Sequence, residues 1–84
     1  MSRKLPLCGT AKFVKMLRYD GFHLKKHSSG GSHDTYVKPK SNSDTHHVVV
    51  VVLNKKQYKL GLLDGMRKQA GWSRAKYERI FKVV

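Results

Sequence analysis

Five consecutive valines, Val48 to Val52, set the first constraint on how this chain folds. A β-branched side chain has few χ1 choices in a helix and packs well on a pleated surface, so the run reads as a strand. Extended from His46 to Leu53, it is the best strand signal in the sequence. Its apolarity on both faces predicts a central or otherwise well-covered position. The uninterrupted apolar part, Val48 to Leu53, is six residues long. A spanning helix needs about 20, so no membrane segment is expected.

The residues around this run sort into alternating and helical blocks. Phe22 to His27 alternates through Phe22 and Leu24, and Ser28-Ser29-Gly30-Gly31 reads as a turn. Alternation resumes from Ser32 to Lys38, with His33, Thr35 and Val37 on one face and Ser32, Asp34 and Tyr36 on the other. Pro39 to Thr45 is polar and turn-rich. Ahead of the strands, Ala11 to Asp20 places Phe13, Val14 and Leu17 at helical spacing, with Lys12, Lys15 and Arg18 opposite. Gly9 or Thr10 can cap this helix, and Gly21 can close it at positive φ. After the basic loop Asn54 to Lys59, the helical period returns through Leu62, Leu63, Met66 and Ala70, and Gly71 stops it. Gly65 within that helix costs about 1 kcal/mol relative to Ala, which implies a close neighbour needing the space. Ser73 can cap a last, short helix with the apolar stripe Tyr77, Ile80 and Phe81.

The expected fold class is therefore α+β: helix, three-stranded antiparallel sheet, helix, then a short C-terminal helix. One face of such a sheet is covered by helices, the layout that double-stranded-RNA-binding domains use. With no internal repeat and no long linker, residues 1–84 are read as a single domain. Phe13, Leu17, Leu63, Met66 and Trp72 are read as core, and Tyr36, on the face opposite His33, is weighed as a base-stacking group.

Charge speaks to partners. Eighteen Lys and Arg face five Asp and Glu, a formal net charge of +13. Such a balance points to a polyanion: nucleic acid, anionic lipid or an acidic protein. One cysteine, Cys8, makes no intrachain disulfide and fits a reducing cytoplasm, and the N-terminus lacks the apolar region of a signal peptide. A cytoplasmic location is expected.

The same inventory narrows the chemistry. Asp20, Asp34, Asp44, Asp64 and Glu78 are too few for glycosidase or two-metal nuclease sites. His23 and His27 are four apart on a strand, about 13 Å, and His46 and His47 point to opposite faces, so no metal site is expected. No phosphate-binding glycine loop precedes a helix. His33 remains: it follows a glycine turn and opens a strand, and an imidazole titrating near pH 6.5 can move a proton at neutral pH. It could deprotonate a ribose 2′-hydroxyl for attack on the adjacent phosphodiester, with lysines facing the developing charge.

Leu5-Pro6, the helix ending Leu17-x-x-Asp20-Gly21-Phe22, Gly31-Ser32-His33, the Val48–Val52 strand and the stretch Leu60 to Trp72 together resemble the HicA toxin family. The last stretch is similar to that family's pattern G-x-L-x-x-I-x-x-Q-A-G, and the likeness spans roughly residues 5–81. The resemblance implies a double-stranded-RNA-binding-domain-like fold and a toxin of a toxin–antitoxin module. It implies an mRNA interferase, an endoribonuclease that needs no metal or other cofactor, with His33 as the catalytic group and Gly31 and Ser32 shaping the turn before it. RNA and a HicB-type antitoxin that masks the histidine are the implied partners. Lys25, Lys26, Lys38 and Lys40 flank the turn and are candidates for holding RNA phosphates. Asp34 is expected on the face opposite His33, away from its imidazole. A non-catalytic RNA-binding module of the same fold and a binder of anionic surfaces or acidic proteins are the competing readings.

Overall fold

A computed structural model describes residues 5–27, 31–39 and 46–84. Six elements follow one another: α1 (Thr10–Tyr19), β1 (His23–His27), β2 (His33–Pro39), β3 (His46–Val52), α2 (Leu60–Gln69) and α3 (Arg74–Val83). The strands pair antiparallel in the order β1-β2-β3. The α+β class and the order of elements are as the sequence predicts. The C-terminal helix is ten residues long, the same as the other two. No helix among the described residues is long and apolar enough to cross a membrane.

The sheet is covered on one face. Asp34 and Tyr36 of β2 and Val49 and Val51 of β3 point to the helices, where Phe13, Met16, Leu17, Leu63, Met66, Trp72, Tyr77 and Ile80 complete the core. The five residues read as core are all there, and Tyr36 belongs with them at 3% exposure. Each fully buried aliphatic or aromatic side chain contributes about 1.5–3 kcal/mol relative to exposure, before the entropy of ordering is counted.

The place of the valine strand departs from expectation. β3 lies at the edge of the sheet and β2 is central. Val49 and Val51 are inaccessible, whereas Val48 and Val50, on the open face, are 45% and 41% exposed. Hydrophobicity did not reveal which strand is central because the polar residues of β2 are satisfied inside the fold, Asp34 and Lys38 each holding a charged or titratable partner. Two backbone groups on the outer edge of β3 are met by side chains, and no fourth strand pairs there among the described residues. The Val50 N–H donates to Gln69 Oε1 at 3.0 Å. The Val52 carbonyl accepts from the Thr10 hydroxyl at 2.9 Å and from the Tyr58 hydroxyl. Such cover takes up two of the backbone groups through which an edge recruits other strands.

Thr10 therefore serves β3 and does not cap α1. The N-cap is Gly9 with no side-chain cap bond, and the Thr10 hydroxyl also accepts the Lys55 N–H at 3.1 Å. Ser73 does cap α3, accepting the Lys76 N–H. Gly65 has no neighbour within 4 Å of where a Cβ would stand, so the close contact inferred for it is absent.

α1 and α2 end alike. Gly21 (φ +99°) and Gly71 (φ +75°) reverse the chain, and the next residues, Phe22 and Trp72, donate back to Leu17 and Arg67. This is the left-handed closure that glycine adopts without a Cβ penalty. Phe22 and Trp72 then meet edge to face, 6.2 Å between ring centroids. Beneath them Asp20 gathers the Trp72 indole N–H at 2.7 Å, Lys38 at 3.1 Å and Lys76 at 3.2 Å. Burial opposes its ionisation, but these three donors outweigh it and hold the carboxyl below its usual range.

Candidate active site

The first residues of β2 are held by the end of β3. The Leu53 N–H donates to the Ser32 carbonyl at 2.8 Å, and His33 pairs with Val52, whose own carbonyl is tied to α1 and Tyr58. A functional group mounted here sits on well-fixed backbone. His33 itself is exposed, on the open face of the sheet with Thr35 and Val37. Its Nδ1 lies 3.1 Å from the Ser32 hydroxyl. When Nδ1–H donates to that hydroxyl, Nε2 carries the lone pair and is free to accept a proton. Gly31 and Ser32 are both exposed immediately before it.

Asp34 takes the opposite face, as expected, and is engaged there: its Oδ1 lies 2.8 Å from His27 Nδ1. The reason is a bulge in β1. Leu24 pairs with Tyr36 and Lys26 with Thr35, so Lys25 is an extra residue and His27 comes opposite Asp34. Period-two counting would have put His27 on the face of His23, and nothing in the sequence marks the inserted residue.

The candidate cations are distributed unevenly. Lys26 pairs with Thr35 and so shares the face of His33. Lys25 lines an open groove on that face, with His23, Val37, His46 and Val48. Both lysines are exposed. Lys38 lies on the helix side, held by Asp20 and not brought to His33. Lys40 lies outside the described residues, as does most of the turn before Gly31. The described strand residues of the open face include no carboxylate, and among the described residues no three His, Cys, Asp or Glu side chains converge as metal ligands.

The only nucleophilic sulfur is remote from this face. Cys8 is buried beside the Tyr77 hydroxyl, and burial pushes its pKa up. A neutral, enclosed thiol is a poor nucleophile.

A family model described as the HicA toxin of bacterial toxin–antitoxin matches residues 10–72, most of the chain. The chain belongs to the HicA toxin family. No match is found among curated proteins or among solved structures. Membership in the HicA family implies a toxin role in a toxin–antitoxin module, ribonuclease activity, and RNA and a HicB-type antitoxin as partners. The α-β-β-β-α-α order with its antiparallel sheet is consistent with the HicA and double-stranded-RNA-binding-domain-like fold. The matched region includes all three strands and both closing glycines, and His33 falls within it.

Proposed function

We propose that this domain is an mRNA interferase in which His33 is the catalytic base, working in the cytoplasm until a HicB-type antitoxin covers it. The observation that carries the reading is the mounting of His33. An exposed imidazole, with Nδ1 on a neighbouring hydroxyl, stands on backbone pinned by β3 and faces open surface. Its Nε2 takes the proton of a ribose 2′-hydroxyl, and the resulting oxygen attacks the adjacent phosphorus. Lys25 and Lys26, on or beside the same face, oppose the charge that grows on the phosphoryl oxygens. Lys38 keeps its ion pair with Asp20 and supports the fold under this reading. The chemistry needs a base, an acid and cations, and no metal or cofactor takes part.

The +13 charge draws the RNA backbone to the surface, and each phosphate neutralised on a single strand adds about 0.7 to the log–log salt slope. The test is His33→Ala assayed on RNA in the presence of a chelator. Cleavage should fall by about 10²–10⁴, the usual worth of a positioned acid or base, with the thermal midpoint unchanged. Cleavage retained by this variant overturns the assignment. Wild-type protein that binds RNA and leaves it uncut would favour the non-catalytic RNA-binding module.

A further inference from the structure

The open face of the sheet divides lengthwise into two kinds of surface. Counted from the His33 end, its cross-strand rows are His33–Val52, then Lys26–Thr35–Val50, then His23–Val37–Val48. Lys25, the extra residue of the bulge, comes between the last two rows. The β1 side therefore supplies cations, and the β3 side supplies valines, of which Val48 and Val50 are open to solvent. Exposed apolar side chains beside a strip of lysines suit a ligand that is itself two-sided, charged along one flank and carrying flat rings along the other. A single strand of RNA is such a ligand.

The end of this face away from His33 holds a groove of about 490 Å³ lined by His23, Lys25, Val37, His46 and Val48. Val37 is its most enclosed residue, at 4% exposure, while His23 and His46 are exposed. His46 belongs to this face because it pairs with Pro39, two residues beyond Val37. The groove offers valine side chains for the flat face of a base, imidazoles that can stack on it or bond its edge, and an ammonium for a phosphate. No carboxylate is among these five residues, so nothing in the lining repels the anion. Val37 lies four residues along β2 from His33, roughly 13 Å. A base held in the groove is thus away from the bond being cut. A short stretch of the same strand joins the two places by way of Lys25 and Lys26.

Resting on the reading of the domain as a ribonuclease that cuts at His33, we propose that this groove is a subsite for one unpaired nucleotide, remote from the cleaved bond. The base lies on Val37 and Val48 beside His23 and His46, and its phosphate meets Lys25. The backbone of the strand then follows β1, and its bases follow β3. The subsite fixes where along the strand His33 acts and takes no part in the chemistry.

The test uses a short 2′-O-methyl oligonucleotide, which has no 2′-hydroxyl to attack and so reports binding alone, beside a base-free strand of the same length. Wild-type protein should bind the first more tightly. The double variant His23→Ala, His46→Ala should lose about 5–150-fold on the first, the usual worth of a stacked base, and stay within about twofold on the second, with the thermal midpoint unchanged. Lys25→Gln should weaken binding of both strands alike and lower the salt slope by about 0.7. Equal losses on both strands for the histidine variant, or none on either, would overturn the proposal. Antitoxin binding lost by a variant that keeps its RNA affinity would assign the groove to protein instead. Wild-type protein that binds neither strand overturns the ribonuclease reading itself.

Discussion

The two faces of the sheet are made from the same strands and nearly the same residue types, yet they obey different rules. On the helix side, Val49 and Val51 have no accessible surface, and the polar groups Asp34 and Lys38 are tied to partners. On the open side, Val48 and Val50 are two-fifths exposed or more beside His23, Lys25 and His46. One face holds the fold together and tolerates little change. The other, apart from the buried Val37, carries mostly exposed side chains, where binding and catalysis can be placed at little cost to stability.

The difference can be tested from its strongest expected effect downwards. Asp20 binds three donors on the closed side, so Asp20→Asn should lower stability at pH 7 by about 1.5–3 kcal/mol, read by denaturant unfolding. Its carboxyl ionises below the usual range in the folded state, because Trp72, Lys38 and Lys76 outweigh burial. The unfolded chain therefore binds the proton first on acidification. The contribution of Asp20 is complete above about pH 4 and is lost as pH falls through the folded value, a slope that Asp20→Asn should flatten. Threonine is close to valine in shape, so the pair Val51→Thr and Val50→Thr isolates polarity. The first buries a hydroxyl and should cost about 1–3 kcal/mol, and the second should stay within about 0.5 kcal/mol. Equal costs would erase the distinction between the faces. Between these lies the edge of β3. Gln69→Ala should cost about 0.5–1.5 kcal/mol by removing the acceptor for the Val50 N–H, and should speed exchange of that amide.

Much of this was legible in the sequence. The helical spacing of Phe13 and Leu17, the stripe of Tyr77 and Ile80, and the glycines that close two helices are local signals, and local signals survive into the fold. Alternation along β2 separated His33 from Asp34 correctly. Relations between distant segments were not legible. Five valines in a row look central whether a fourth strand pairs with them or the side chains of Thr10, Tyr58 and Gln69 meet two groups of an edge. Thr10 looks like a cap until the Val52 carbonyl, 42 residues away, takes its hydroxyl. The bulge at Lys25 is the most consequential case. One extra residue changes the face of everything after it in β1, and so decides what His27 touches.

The enclosure of Cys8 has a practical consequence. It is the only thiol in the chain, 7% exposed, and its Sγ rests 3.5 Å from the Tyr77 hydroxyl, which itself donates to the Pro6 carbonyl. A thiol reagent reaches it when the segment before α1 parts from its neighbours, α3 and the loop before α2. The rate of labelling under native conditions thus follows the population of the parted form, or the rate of parting when reagent outpaces reclosing. Antitoxin, RNA or a substitution that steadies the domain would register as a slower tick of the same clock.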